Sequence, residues 1–262
     1  MLVLLVFLGA AGIAFLEASR CAYRSDGEWR DELQASLILG VAAALIEMFI
    51  ARSGAPNEPS SAGFVLVAGV FLLDDLLYYA SHRAAHRIGV FWASHSVHHS
   101  SLHFDFFTGL RQPPTWLMTP AAAAPLFLIA AGAPVWVVAA SGGLRALHHF
   151  LLHTERVRRL PAWVELVFNT PSHHRVHHSS EDGLIDKNFC AVLIVWDRIF
   201  GTFAPEPAGG VSKYGVLDAA SEGSVLSIVV HPWRRLVQRA TRARTGAGKF
   251  AALFAPPGRL SG

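Results

Sequence analysis

Four or five stretches of this 262-residue chain are long and apolar enough to cross a membrane, and that restricts its fold more than any other feature. They are Met1–Ser19, Leu33–Ala51, Gly63–Tyr79, Thr115–Ala133 and Val135–Leu152. A helical span needs about 20 apolar residues, with a lower limit near 17. In hydrocarbon the backbone must satisfy its own hydrogen bonds, which makes each such stretch a helix. Composition agrees: 52% of residues are hydrophobic and 16% charged, against about 25% charged in ordinary globular chains. The fold class read from this is an all-α integral membrane protein with four to five transmembrane or hairpin helices. Met1–Ser19 has no basic segment before it, which favours an uncleaved helix over a secretory signal. Gly132 and Pro134 interrupt Thr115–Leu152, giving a hairpin that enters the membrane and returns.

Orientation follows from lysine and arginine in the connections. The Arg20–Glu32 connection holds Arg20, Arg24 and Arg30, whereas 52–62 holds only Arg52 and the Gly132–Pro134 turn holds none. The first connection is therefore cytoplasmic. Alternate threading of the later spans then puts 82–111 and everything from His153 onward on the same face, as a histidine-rich helical cap. The net charge of +3 conceals a basic tail: from His231 onward there are seven basic residues and no acidic one. Nothing in the chain carries a nucleic-acid-binding signature, so nucleic acid is not an expected partner. A high arginine-to-lysine ratio fits a GC-rich bacterial genome and hence an inner membrane.

Thirteen of the 14 histidines fall between His82 and His178. They form four boxes: His82 and His86; His95, His98 and His99; His149 and His153; and His174, His177 and His178. Residues three and four apart share a helix face, so each box aims two or three imidazoles at one point. Ten imidazoles exceed one metal's needs and suit two. Gathering them without metal would crowd several partly protonated rings for no structural return. Thr170 and Pro171 form a helix-start signal just before the last box. His103, His148 and His173 neighbour the boxes and lie off their best arcs. They read as structural or supporting residues, His173 being the nearest to ligand position. The two cysteines, Cys21 and Cys190, cannot build a cysteine-based metal site. Imidazole suits zinc, copper, iron and nickel alike, so spacing does not select the metal. There is no HExxH, which removes the general base of a zincin protease.

Asp74 and Asp75 sit inside the third span, where a carboxylate costs about 2.5–3.5 kcal/mol. Asp74, Tyr78 and His82 are four apart on one helix face. One of the two aspartates is expected to accept a proton from a histidine ring and orient it. Arg145, four before His149, reads either as a partner of Glu47 or an aspartate inside the bundle or as an arginine snorkelling to the interface. Phe189, Val192, Leu193, Trp196 and Phe200 have helical spacing and read as cap packing. The Arg234–Arg244 stretch reads either as a helix lying on an anionic leaflet or as a disordered basic tail.

In its boxes and their flanks the sequence resembles the fatty acid hydroxylase superfamily, the membrane oxygenases that include sterol desaturases, fatty acid 2-hydroxylases and alkylglycerol monooxygenase. The resemblance is carried by HxxxH at His82, HxxHH at His95 and HHRVHH at His173–His178. The flanks Ser100–Arg111, His153-Thr154-Glu155, Thr170-Pro171-Ser172, Asp186-Lys187-Asn188 and Trp196–Phe203 carry it too. It runs from about Gly63 to Phe203 and is strongest toward the sterol-desaturase-like and alkylglycerol-monooxygenase-like branch, although alkylglycerol monooxygenase is considerably longer. The resemblance implies a membrane-bound oxygenase with two iron ions, using O2 as co-substrate to hydroxylate or desaturate a sterol, fatty acyl or alkylglycerol lipid. The implied ligands are His82, His86, His95, His98, His99, His149, His153, His174, His177 and His178. Electrons must come from an external reductase, cytochrome or ferredoxin, because the chain has no dinucleotide fingerprint and no haem or cluster motif. The organisation read from this is a single membrane domain: N-terminal transmembrane helices over 1–62, a histidine-box catalytic region over 63–203, and a C-terminal cytoplasmic segment with a basic tail over 204–262. Two other readings use the same histidines: a membrane zinc hydrolase or isomerase, and a non-enzymatic metal-binding membrane protein.

Overall fold

The computed structural model describes residues 62–216 and 224–257, with residues 9–14, 16, 34, 36–38 and 41 of the N-terminal part. Most of the stretches Met1–Ser19 and Leu33–Ala51, on which the first two predicted spans fall, lies outside the described residues. Among the described residues all regular structure is helical, and strand pairing is confined to two isolated bridges, Phe168 with Leu193 and Ser179 with Tyr214.

Helix α1 spans Phe64–Arg87 and is the one described helix long and apolar enough to cross a membrane. Its 24 residues extend about 36 Å at 1.5 Å per residue. The apolar end is bare: Phe64 and Val65 are more than four-fifths exposed. Burial grows toward the other end, where Asp74, Asp75, Tyr79, His82 and His86 are all enclosed. The helix thus presents lipid-compatible surface along its first half and its polar side chains inside the protein along its second.

The stretch Thr115–Ala133 departs from the expected continuous span. It forms 3-10 turns at Trp116–Met118 and Pro120–Ala122 and then a short helix α4, Ala124–Ala130. Pro120 and Pro125 each remove a backbone donor, which breaks the stretch into turns. A seven-residue helix covers only about 10 Å, too little to cross a bilayer. The chain nonetheless turns back where Gly132 and Pro134 are expected to reverse it. Gly132, with φ +93°, turns the chain, and Pro134 caps the start of α5, Val135–Leu151. Leu128 of α4 and Val137 and Val138 of α5 close on Val70 of α1 as one buried cluster.

After α1 the chain reverses at Ile88 into α2, Gly89–His95. Helix α3, Phe106–Leu110, is fixed by a capping box in which the Asp105 carboxylate accepts from Phe107 and Thr108 N–H. Gly109 of α3 lies against α5: a Cβ there would sit 3.1 Å from His153 Nδ1 and from the Phe150 ring. The short helix α6, Ala162–Val167, leads into α7, Pro171–His178, every residue of which is buried. After α8, Val195–Ile199, the last helices among the described residues are α9, Val225–Arg242, and α10, Gly246–Phe254. Both of these pack on α2.

The contact of α2 with α10 depends on Gly89, where an added Cβ would lie 2.8 Å from the Leu253 carbonyl oxygen. Gly89→Ala is therefore expected to cost about 1–3 kcal/mol through backbone displacement, read as a lower melting temperature of the purified protein. An unchanged melting temperature would mean that α10 does not dock there.

Candidate metal centre

The four histidine boxes meet at one place. One group comprises His82, His86, His95, His99 and His177, and a second comprises His98, His153, His174 and His178. Within each group the candidate ligand nitrogens all lie within 4.8 Å of one another. The tenth predicted ligand, His149, stands beside the second group, its ring 4.6 Å from that of His174, with Nε2 3.2 Å from the Tyr78 hydroxyl. The structure thus brings nine of the ten predicted residues into two clusters and sets the tenth at their edge.

The helical reading of the boxes holds for two of them. His82 and His86 lie on the last turns of α1, and His174, His177 and His178 on α7. Box two departs from it, because α2 ends at His95 and His98–Ser100 is a 3-10 turn. That tighter winding directs His98 into the second group while His95 and His99 serve the first. Box three also straddles a helix end, with His149 in α5 and His153 beyond it. Thr170 is the N-cap residue of α7, as expected, but its hydroxyl donates to Glu165 Oε1 instead of capping the helix.

Backbone carbonyls fix the ring orientations. His82 Nδ1 donates to Phe189 O at 2.7 Å, His98 Nδ1 to Arg111 O at 3.2 Å, His153 Nδ1 to His149 O at 2.8 Å and His177 Nδ1 to Lys187 O at 2.9 Å. An imidazole that donates through Nδ1 carries its lone pair on Nε2. His98 Nε2 and His153 Nε2 then face each other at 3.3 Å with a lone pair on each. Neither has a proton to share, so the contact is repulsive unless a cation receives both. Two ligands at right angles on one metal, with bonds of about 2.1 Å, stand ~3 Å apart. The His82–His95 and His153–His174 Nε2 separations, 2.9 and 3.0 Å, match that spacing. His86 Nε2, His174 Nδ1, His177 Nε2 and His178 Nε2 are buried without a hydrogen-bond partner. The donor set therefore fits metal ions held by neutral nitrogen ligands.

Asp74 and Asp75 do not orient histidine rings directly, contrary to expectation. Asp74 Oδ2 accepts from Ser141 Oγ and pairs with Arg145 Nε at 3.2 Å, which is the intrabundle reading of Arg145. Asp75 accepts from Val192 N–H, Leu193 N–H and Trp196 Nε1–H, each at 3.0 Å. Asp197 holds the preceding residues of the same segment, accepting from Phe189 and Cys190 N–H and from the Thr202 hydroxyl. Both aspartates thus clamp 189–193, whose carbonyls at Phe189 and Ala191 receive His82 and His148. The carbonyls take the expected role because a helix face aims Asp75 at the loop and not at a ring seven residues along. His173 also turns away from the clusters, with Nε2 3.9 Å from Glu165 Oε2 and its ring against Phe203. His103 lies in neither cluster.

Several site residues escape the sequence reading of the boxes. Asp186 Oδ1 lies 3.4 Å from His86 Nδ1, and it and Asn188 adopt left-handed φ of 62° and 54°, tolerable for these short polar side chains. That bend aims the Lys187 and Phe189 carbonyls inward. Phe189 therefore does more than pack the cap. Trp92 covers His86 and His99, while Phe104 stacks on His153. Arg175, inside box four, forms a buried pair with Glu206 and caps three backbone carbonyls. An i, i+4 pattern carries no signal for such long-range partners.

Burial sets the protonation of the cluster. It pushes His98 down to about 4 and His177 to about 3, and it holds His95, His99, His153, His174 and His178 well below the usual imidazole range, helped by neighbouring rings. At neutral pH these rings are unprotonated and ready to ligate.

A protein that is helical throughout its described residues and collects two groups of buried imidazoles at the end of a membrane-compatible helix belongs to the class of histidine-box metalloproteins. The fatty acid hydroxylase family profile matches residues 67–202, more than half of the chain, and the protein is a member of that family. The chain is 38% identical over 197 residues to alkylglycerol monooxygenase of Danio rerio, covering 73% of this chain and 42% of that one. It is 36% identical over 193 residues to the Homo sapiens enzyme, covering 72% and 41%. An ornithine lipid hydroxylase of Rhizobium tropici is 29% identical over 185 residues, covering 66% and 51%. The chain thus spans about two fifths of the length of the vertebrate relatives and half that of the bacterial one. No solved structure matches it.

Two expectations follow. Asp75→Asn places an amide opposite three donors and should cost about 1–3 kcal/mol, lowering both melting temperature and bound metal; full retention of both would contradict the clamp. Because an unfolded imidazole titrates near 6.5 and the buried ones lower, the unfolded chain binds more protons between those values. The stability of metal-free protein should therefore fall as pH drops from about 6.5 toward 3–4 and be level above 6.5. A melting temperature independent of pH over 5–7 would contradict this.

Proposed function

We propose that this chain is a membrane-bound di-iron oxygenase that uses O2 and external electrons to hydroxylate a lipid. The observation that carries the reading is the two-group arrangement of Nε2 lone pairs, which suits two metal ions side by side. Family membership and relatives named as a monooxygenase and a lipid hydroxylase support oxygen chemistry on a lipid over a zinc hydrolase. Two iron ions would be held by His82, His86, His95, His99 and His177 on one side and by His98, His153, His174 and His178 on the other, with His149 as the tenth ligand. Bound there, iron would supply O2 activation and attack on an unactivated C–H bond.

The chain's own residues orient and seal. Carbonyls of Phe189, Arg111, His149 and Lys187 hold the Nδ1 protons of His82, His98, His153 and His177 so that their Nε2 lone pairs point inward. Trp92, Phe104 and Phe189 shield the rings from water. Tyr78 sits beside His149 at the α1–α5 contact, where the bundle meets the cluster. The exposed apolar face of α1 is a route for an acyl or alkyl chain from the bilayer. We place the histidine cluster at the cytoplasmic face of a bacterial inner membrane, beyond the transmembrane and hairpin helices, with the region 63–203 as the catalytic unit. A separate reductase, cytochrome or ferredoxin delivers the electrons.

Lipids extracted from cells expressing the chain under 18O2 test the proposal when compared with cells expressing His177→Ala. The expected outcome is a lipid species heavier by one labelled oxygen, reduced at least about a hundredfold in the variant, as is usual for loss of an essential group. A species lighter by two hydrogens without label would identify a desaturase, and identical lipidomes would refute oxygenation.

A further inference from the structure

The surface that helices α6 and α8 turn outward is apolar. Trp163 is 70% exposed and Leu166 58% on α6, and Ile199 is 63% exposed beside the half-exposed Phe200 at the end of α8. The two helices are joined firmly. The Arg198 guanidinium of α8 donates to the Glu165 carbonyl oxygen of α6 at 3.1 Å, Phe168 pairs with Leu193, and Asn169 N–H donates to the Val192 carbonyl oxygen. Glu165 stiffens α6 further, its Oε1 accepting from Leu160 N–H and from the Thr170 hydroxyl. Four large apolar side chains held outward on short, pinned helices are costly in water and mark a contact surface.

That surface continues the one that α1 turns outward. Val65 and Leu72 of α1 are exposed, and Leu76 and Tyr79 follow on the same helix face. Leu76 and Trp196 pack against one buried cluster, that of Tyr79 with Phe189, Cys190 and Ile194. The Phe200 ring lies stacked on that of Tyr79, with centroids 5.2 Å apart. The apolar stripe of α1 therefore runs directly onto α8. Exposed arginines stand at its border, Arg158 ahead of α6 and Arg198 beside Ile199. A tryptophan among aliphatic side chains, edged by arginines, suits the membrane–water interface, where the ring sits at headgroup level and guanidinium groups reach the phosphates.

We propose that α6 and α8 form an interfacial platform seated in the headgroup layer of the bilayer that α1 crosses, with Trp163, Leu166, Ile199 and Phe200 turned into the lipid. Only Phe168, Asn169 and Thr170 separate α6 from α7, which carries His174, His177 and His178. Asp197 of α8 holds the N–H groups of Phe189 and Cys190. Seating the platform therefore fixes the depth of both histidine groups against the bilayer. The inference deepens the membrane reading above and rests on it for the orientation of α1.

Nitroxide labels on single cysteines test this in the full-length protein, held in nanodiscs of phosphatidylcholine and phosphatidylglycerol. Cys21 is replaced by serine, and Cys190 is buried away from the reagent. W163C and L166C report on α6 and I199C on α8, while V65C is the lipid reference and D182C, at an exposed position, the water reference. An unchanged melting temperature identifies the labelled variants that keep the fold, and two reporters on α6 guard against the loss of one. At 163, 166 and 199 the label should collide severalfold more with O2, which concentrates in hydrocarbon, than with a water-soluble nickel chelate, as at 65. At 182 the order should reverse. Water-like collisions at 163, 166 and 199 with lipid-like ones at 65 would overturn the platform and leave the membrane reading standing. Spin–spin broadening between labels at 163 of two chains in one nanodisc would put a second copy on the patch and overturn it too. Water-like collisions at 65 as well would defeat the membrane reading itself.

Discussion

Everything at the centre of this protein depends on keeping a crowd of imidazoles neutral, dry and pointed the same way. Histidine is an awkward residue to bury in numbers, since each ring carries a donor and an acceptor and can gain a charge. The chain resolves this by satisfying one nitrogen of a ring with a backbone carbonyl and leaving the other as an inward lone pair. Carbonyls suit that task better than carboxylates here, because they fix the tautomer without adding charge to a low-dielectric site. What remains is an inner surface of lone pairs close enough to repel, for which a pair of cations is the natural complement.

That requirement explains the rest of the architecture. The carbonyls belong to the irregular segment 187–191, and irregular backbone holds its shape only when its own polar groups are tied down. Asp75 from α1 and Asp197 from the start of α8 do so at 192–193 and 189–190, and Asn188 bridges the carbonyls of His173 and Ala204. The membrane-compatible helix is therefore more than an anchor. Its second half delivers one aspartate to the loop, another to Arg145 and two histidines to the cluster, all from one side of a continuous α-helix.

Much of this was legible in the sequence. The helix of box one, the helix of box four beginning at Pro171, and the α4–α5 hairpin at Gly132 are written in local signals of spacing, capping and chain-breaking. So is the gathering of the boxes, since ten imidazoles at i, i+3 and i+4 have no economical use apart. What local pattern could not reveal depends on distant partners. The tighter turn at His98 splits box two between both groups. The task of Asp75 follows from the 192–196 segment, over a hundred residues further on, that of Asp186 from His86, 100 residues back, and that of Glu206 from Arg175, 31 residues back. The apolar run Thr115–Ala133 misled for a related reason: hydropathy is blind to the backbone donors that Pro120 and Pro125 remove.

The central claim is that the paired clusters hold two iron ions. Metal analysis combined with Mössbauer spectroscopy on 57Fe-grown, aerobically purified protein tests it most directly. The account predicts about two iron per chain with the signature of a coupled pair, lost together when His177 is replaced. Two zinc per chain with no iron, and activity indifferent to removal of O2, would contradict it.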